Sequence, residues 1–391
     1  KSTGMRSLEK LGALAKARGG GRCLIVAGPG NTWREVQQNL DAAGLSSEVH
    51  HTLNRGARWP TPDHVKAVVN AAGRSRADVV VGVGAGGVLD LAKAVSAIHG
   101  LSKQRREGGP RHLGTGMPLK PAMSLPLLLV PTTVSVAMAS GRALLWDEDI
   151  GNCLVPVPVA GPGPFGGPFG ASTGLQPNET IADMKLTSLQ SVRGVTAAAG
   201  HALSIMVDCI AGAAGTSAQH SLWDEVLIGA AQTGQVLTNP QTAHAAALEA
   251  AIAAGNAASD ADANSQGSLP LIHTLACVAA IAWSEVPFPA VASVLLPPVL
   301  RMWSAHAESD VKKGLSLLAE AVLQRSGVSI LDLATLVEES CERAGVSGPE
   351  LHHAESPDIA AAVLALRVSE SPIFQLRPAP DWLKDASRMA E

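Results

Sequence analysis

Residues 78–98 read DVVVGVGAGGVLDLAKAVSAI. An apolar run enters a loop with four glycines in six residues (Gly82, Gly84, Gly86, Gly87) and leaves as a helix pattern. A strand that feeds a glycine loop and then a helix is a ready anion site. Bare backbone lets a phosphate approach, and the first helical turn offers free N–H groups and a positive dipole end. The loop is neither a Walker A sequence nor a G-x-G-x-x-G in the usual first βαβ position. Its two readings are therefore a phosphate cradle and a tight strand–helix connection with no ligand. On the helix, Asp90 and Lys93 share one face at i and i+3. They read either as a modest intrahelical ion pair or as two groups that point into a cofactor cleft.

The neighbouring segments repeat the alternation. RCLIV (22–26) reads as a short buried strand that ends in AGPGN, and a helix pattern follows from Thr32 to about Ala43. LPLLLVP (125–131) reads as a third strand, stopped by Pro131. Strands that alternate with helices predict a parallel α/β sheet. After about Leu186 helical periodicity takes over, with long Ala/Leu segments at 194–215, 222–237, 241–258 and 310–326. SILDLATLVEESCERAGVSG opens with Ser329 three residues before Asp332, a capping-box start, and closes at Gly345, a helix-ending glycine. The expected organisation is an α/β nucleotide-binding domain over 1–185 and an all-α domain over 186–391. The Gly/Pro/Phe stretch 161–174, which carries Phe165 and Phe169, is expected to be a loop.

Of the 391 residues 46% are hydrophobic, enough to bury a core in each domain. A net charge of −4 gives no basis for a nucleic-acid or anionic-membrane surface. The five cysteines are scattered with no C-x-x-C, which favours a reducing compartment. Two apolar stretches, 194–215 and 269–300, are interrupted by His201 and Asp208, and by His273, Glu285 and several prolines. Both read as buried central helices and not as membrane spans. The chain begins at Lys1 and 1–21 lacks an apolar signal core, so the start reads as processed or trimmed. An intracellular location, cytoplasm or organelle lumen, is expected.

GAGGVLDLAK (84–93) resembles the G-G-G-S-x-x-D-x-A-K signature of the iron-containing (group III) alcohol dehydrogenases, a superfamily that includes maleylacetate reductases, glycerol dehydrogenases and dehydroquinate synthases. LLLVPTTVSVA is similar to the family's strand plus P-T-T-x-G-T-G, and TIADMKLTSL to its D-P-x-L-T segment. AAAGHALSIMVDCIAG is similar to its G-x-D-A-L-x-H-x-x-E helix, and VPFPAVASVLLPPVL to its P-H-G-x-x-N-A-x-L-L-P-x-V-L. The order matches over nearly the whole chain. The resemblance implies that Gly84, Ala85, Gly86 and Gly87 cradle a dinucleotide pyrophosphate, that Asp90 faces the nicotinamide side, and that Thr132 and Thr133 lie along the cofactor. Gly28 stands where the family often has an acid for the adenosine ribose, which leaves both NAD and NADP open. The basic segment KQRREGGPRH (103–112) reads as a phosphate partner or, more simply, as a solvated loop.

In the family, one Asp and three His hold iron or zinc, which polarises the substrate oxygen. Here the Asp position is His201, the first His position is Ile205, and the last His position is Phe288, followed by Pro289. His273 keeps the remaining ligand position, and Cys277 replaces a further His often tied to proton transfer. The resemblance therefore predicts no family-type iron or zinc. Ser135, Val136, Ala137, Met138 and Ala139 likewise depart from the family's residues after P-T-T.

Two functions follow. The first is a metal-independent NAD(P)-dependent alcohol dehydrogenase or reductase of the maleylacetate-reductase kind, acting on a small carbonyl or alcohol. Hydrogen-bond donors would then serve the substrate oxyanion, with His201, His273 and Cys277 as the catalytic candidates and His201 or His273 as the proton donor. The second is a catalytically inactive homologue kept as a structural subunit. A nucleotide sensor is the third and weaker option. A homodimer or a larger complex fits either main reading.

Overall fold

The structure is a computed structural model that describes residues 3–4, 8–52, 59–102, 124–147, 153–156, 175–213, 219–264, 271–282 and 286–346. The basic segment 103–112 and the Gly/Pro/Phe stretch 161–174 lie outside the described residues. Two compact units are present, one within 1–149, 155–190 and 262–264, the other within 150–154, 191–261 and 265–391.

The first unit is built on a six-stranded sheet. In chain order its strands are β1 (Thr3–Gly4), β2 (Arg22–Ala27), β3 (Ser46–His51), β4 (Val79–Gly84), β5 (Leu127–Pro131) and β8 (Glu179–Ile181). Their order in space is β1-β8-β5-β4-β2-β3, and every pairing is parallel. Strands β6 (Leu144–Asp147) and β7 (Cys153–Pro156) form a separate two-stranded sheet. Central strands of a parallel sheet are covered on both faces and so need unbroken apolar runs. VVVGVG of β4 and LLLVP of β5 are buried at every position. Alternate residues of β2, β4 and β5 serve opposite faces. Cys23, Ile25, Val81, Leu128 and Val130 join the core under α1 (Leu11–Ala17) and α2 (Thr32–Ala42), with Leu11, Val36 and Leu40. Each such buried Leu or Ile stabilises by roughly 1.5–3 kcal/mol.

The intervening positions meet α3 (Pro62–Ser75) and α4 (Gly86–Ser102). Gly82 is one of them. A Cβ there would lie 2.7 Å from the Ala92 Cβ and 2.9 Å from the Leu129 Cδ2, so the missing side chain is what lets α4 sit close on the sheet. Helix α3 opens with a capping box, Thr61 against His64, and with Pro62 in its first turn. Strand β3 and helix α3 have no counterpart in the sequence reading.

The second unit is helical, as expected. It holds α6 (Val192–Ala213), α7 (Gln219–Thr238), α8 (His244–Asn264, whose last three residues fall in the first unit), α9 (Leu271–Ala282), α10 (Phe288–His306), α11 (Ser309–Leu323) and α12 (Ile330–Ala344). Helix α6 is buried almost all round, the pattern of a central helix. It and α10 are long and apolar enough to cross a membrane, but 89% and 67% of those windows are buried inside the protein. Pro297 and Pro298, read from sequence as interruptions, are carried inside α10. Helix α12 has the expected capping box between Ser329 and Asp332, and ends on Gly345 at φ 67°. The segment expected to be similar to D-P-x-L-T contains β8 and the one-turn helix α5 (Met184–Thr187), capped by Asp183.

Candidate functional site

Because all six strands run in parallel, their carboxyl ends share one edge. The chain leaves β2 outward to β3 and returns to β4 on the other side of β2, so the direction of winding reverses between β2 and β4. Ligands of open α/β sheets bind outside the carboxyl ends of the strands at such a point. Backbone bonds stitch this edge together. The Gly28 N–H donates to the Val83 carbonyl (3.0 Å), the Thr132 N–H to the Gly84 carbonyl (3.0 Å), and the Thr52 N–H to the Ala27 carbonyl (3.2 Å). The loop after β2, the glycine loop after β4 and Thr132 after β5 are thereby brought together.

The loop is bare for a reason. A Cβ on Gly28 would lie 3.0 Å from the Val88 Cγ2, one on Gly84 2.8 Å from the Val88 Cβ, and one on Gly86 3.1 Å from the Ser135 Oγ. Helix α4 starts at Gly86, with the Ala85 carbonyl accepting from Val88 (2.9 Å) and Leu89 (3.1 Å). Ala85 is exposed, and Gly86 and Gly87 are half-buried. Thr132 and Thr133, both half-buried, lead into Ser135, whose hydroxyl caps a 3-10 turn over Val136–Met138 by accepting from the Ala137 N–H (3.2 Å). The Val134 N–H donates to the Gln190 Oε1 (2.8 Å), which ties the segment to Gln190. The first-turn amides and the glycine surface suit a pyrophosphate.

Asp90 and Lys93 form the intrahelical ion pair that their spacing offered, 3.7 Å apart, and both members are buried. Lys93 is fully buried, and its Nζ donates to the Arg142 carbonyl (2.7 Å) and the Ser140 Oγ (3.3 Å). It thus ties the chain before β6 to α4. Burial pushes the Asp90 carboxyl up to about 6, against the pull of Lys93 and of the Leu144 backbone. Burial pulls the Lys93 ammonium down to about 8, against the attraction of Asp90. Both groups are charged only in the window between those values.

The second unit gathers the residues at the family's metal positions. His201 on α6 and His273 on α9 stack with ring centroids 6.2 Å apart, and the Phe288 ring at the start of α10 meets each of them edge-on at 5.3 Å. All three are buried. Ile205 and Cys277, one turn on from His201 and His273, are buried too. Asp208, which the sequence reading did not single out for a role, holds the arrangement. Its two carboxylate oxygens accept the N–H groups of Ile272 and His273, each at 3.0 Å, and so cap α9 from α6. The donor types do not fit the family's iron or zinc: an isoleucine and a phenylalanine stand at two ligand positions. Among the described residues no three His, Cys, Asp or Glu side chains come together in a way that could hold a metal ion.

The predicted residues fall in two units: Gly84, Ala85, Gly86, Gly87, Asp90, Thr132 and Thr133 in the first, where Gly84 and Thr132 are hydrogen-bonded, and His201, His273 and Cys277 in the second, where the two imidazoles stack. Gln190 and Asp208 are the additions. Asp208 carried a signal, an acid seven residues after His201 on the same apolar helix.

The sequence profile of the iron-containing alcohol dehydrogenases matches residues 2–151. A sulfoacetaldehyde reductase of Bilophila wadsworthia (strain 3_1_6) is 31% identical over 131 residues, 33% of this chain and 32% of that protein, so the match spans about a third of the relative's length. The fold is shared over nearly the full chain with solved structures. An archaeal halo-thermophilic alcohol dehydrogenase from a Red Sea brine pool superposes with a TM-score of 0.77 at 14% identity, covering 100% of this chain and 96% of that one. The iron-containing alcohol dehydrogenase of Thermococcus thioreducens gives 0.72 at 17% identity (99% and 97%). The sulfoacetaldehyde reductase of Bifidobacterium kashiwanohense, solved in complex with NAD+, gives 0.71 at 17% identity (99% and 95%).

Proposed function

We propose that this chain, whose residues 2–151 match the iron-containing alcohol dehydrogenases and whose fold is that of solved alcohol dehydrogenases, is an NAD(P)-dependent reductase or dehydrogenase of small aldehydes, ketones or the corresponding alcohols, and that it works without that family's iron or zinc. One observation carries this reading: Gly28, the glycine loop 84–87 and Thr132 converge at the carboxyl edge of the sheet where its winding reverses. Two sulfoacetaldehyde reductases among the similar proteins, one of them solved with NAD+, support a nicotinamide cofactor and a small aldehyde as the substrate class.

The cofactor, when bound, supplies or accepts the hydride. Gly84, Ala85, Gly86 and Gly87, with the first-turn amides of α4, would hold its pyrophosphate, and Thr132 and Thr133 would line the cofactor. In the direction of reduction the carbonyl carbon takes a hydride and the carbonyl oxygen takes a proton. His201 or His273 gives that proton, and the other imidazole and Cys277 donate hydrogen bonds to the developing oxyanion. Asp208 sets the position of His273 through the end of α9. The Asp90–Lys93 pair acts as a positioning element under the glycine loop.

The test is a titration with NADH and NADPH followed by cofactor fluorescence, then turnover on a panel of aldehydes and 2-oxo acids with and without chelator. Saturable binding and chelator-resistant turnover are expected. Absence of binding at millimolar cofactor sinks the proposal. The Phe288 ring against both imidazoles favours a second reading, a catalytically inactive structural subunit. That reading requires a protein that binds no cofactor and co-purifies with partners in fixed stoichiometry.

A further inference from the structure

We infer that Gln190 is a positioning residue of the cofactor site: its side-chain amide holds the strip Thr132–Val134 in the shape that leaves Thr133 open to a ligand. The inference rests on the nucleotide reading above and names the group that keeps one wall of that site in place.

The strip begins where β5 ends at Pro131. Past that point the chain leaves the sheet, and its backbone groups must find partners elsewhere. Thr132 finds one, its N–H donating to the Gly84 carbonyl (3.0 Å). Val134 is only 2% exposed, so its N–H is shut off from water. It donates to the Gln190 Oε1 at 2.8 Å, across 56 residues of chain. Ser135 then enters the 3-10 turn and spends its hydroxyl on the Ala137 N–H (3.2 Å). The strip is thus pinned at Thr132 and at Val134, with Thr133 half-buried between the pins. Among the described residues the Thr133 N–H, the Thr133 hydroxyl and the Thr132 hydroxyl have no hydrogen-bond partner. Three polar groups held at one place, none of them used within the chain, are what a bound ligand takes up.

Gln190 starts from a fixed backbone. Its own N–H donates to the Thr187 carbonyl (3.1 Å) at the end of α5. Thr187 is fully buried and donates its hydroxyl to the Asp183 carbonyl (3.4 Å). Holding a long amide side chain costs rotamer entropy. A bond to a buried N–H that would otherwise be orphaned offsets that cost. Without the acceptor the Val134 N–H is buried and unpaired, and the strip must shift to satisfy it. Such a shift carries Thr133 with it, and ligand groups held out of place bind more weakly. Gln190 is also the last residue of the first unit. Ser191 opens the second, and its hydroxyl accepts the Gly194 N–H (3.2 Å) at the start of α6. The pin therefore sits where the chain passes from one unit to the next. Coupling is reciprocal, so a cofactor that orders the strip also orders this passage.

The experiment measures NADH and NADPH affinity by cofactor fluorescence for the native protein, Gln190→Met and Gln190→Glu, in about 0.3 M salt to screen the added charge. Amide hydrogen exchange over 130–136 and 187–194 is read alongside. Met keeps the length of the side chain without a comparable acceptor, and Glu keeps the acceptor. Gln190→Met should weaken both cofactors by about five- to tenfold and speed exchange at Val134. Gln190→Glu should stay within about twofold of the native affinity and keep Val134 protected. In the native protein, cofactor should slow exchange across 187–194, and that slowing should shrink in Gln190→Met. A merely structural role would lower the melting temperature and leave affinity unmoved. Unchanged affinity in Gln190→Met, or an equal loss in both variants, overturns the inference and leaves the nucleotide reading intact. So does a native protein that binds cofactor with no slowing at Val134 or over 187–194, a result that needs no variant. No binding of either cofactor to the native protein overturns both.

Discussion

Lys93 offers the sharpest test of how the first unit is held together. It is fully buried, 3.7 Å from the Asp90 carboxylate, and it is the donor to the Arg142 carbonyl and the Ser140 hydroxyl. Lys93→Met keeps most of the volume, so the cavity contribution is small. What remains is a buried carboxylate without its counter-charge and two acceptors that have lost a donor. Removing one member of a buried pair costs about 3–5 kcal/mol. In a unit of this size that lowers the melting temperature by roughly 10 °C. The pH dependence identifies the cause. The Asp90 pKa is raised in the folded state, so its favourable contribution is complete below its ordinary value of 3.8 and is lost as pH rises through about 6. Lys93 is depressed, so its contribution is complete above its ordinary 10.5 and is lost as pH falls through about 8. Between those two folded values both groups are ionised, and there the pair offsets the burial of each. The Lys93→Met penalty should peak in that window. It should shrink as pH falls toward about 6, because Asp90 without the pull of Lys93 takes up its proton above the native value, and again above about pH 8, where native Lys93 is already neutral. Thermal melts across this range measure it, and Asp90→Asn/Lys93→Met should recover more than half of the loss. A penalty under about 1 kcal/mol, or one flat with pH, refutes the reasoning.

Other outcomes follow from the same structure. Asp208→Ala removes both acceptors at the start of α9 and should cost about 1–2 kcal/mol, with Asp208→Asn recovering part. If the enzyme reading holds, the Ala variant should also lower kcat more than it changes cofactor affinity. Burial pushes the thiols of Cys23 and Cys341 up to about 12, so neither is a thiolate at pH 8. Both should resist thiol reagents in the native protein and react on unfolding, as followed by mass spectrometry; rapid native labelling of either would contradict their burial.

Legibility in the sequence followed the solvent exposure of each element. Strands β2, β4 and β5 are buried on both faces, which demands continuous apolar runs, and these were readable with small shifts of boundary. Strand β3 is SSEVHH, an edge strand with exposed and half-buried positions only, and its pairing with β2 decides it where its own residues do not. Helix α3 was legible in principle from Thr61 and Pro62, a cap and a first-turn proline. In the candidate site the spacing of Asp90 and Lys93 was visible, but not that both are buried, nor that Lys93 reaches Arg142. The contact of Phe288 with both imidazoles joins three helices and could not be read from any one of them.

By itself the sequence determined what is local: apolar runs, glycines where backbone must be bare, caps, and the residue types that stand where metal ligands would. Periodicity and composition act over a few residues, and these features are satisfied within a few residues. Tertiary structure alone decided which ends meet. It set the Gly28 and Gly84 loops side by side at the point where the winding reverses, made Lys93 a buried tie to Arg142, and brought Asp208 to the start of α9. Those outcomes depend on strand order and helix packing. Their energies come from burying groups far apart in the chain against one another, and no short stretch encodes that separation.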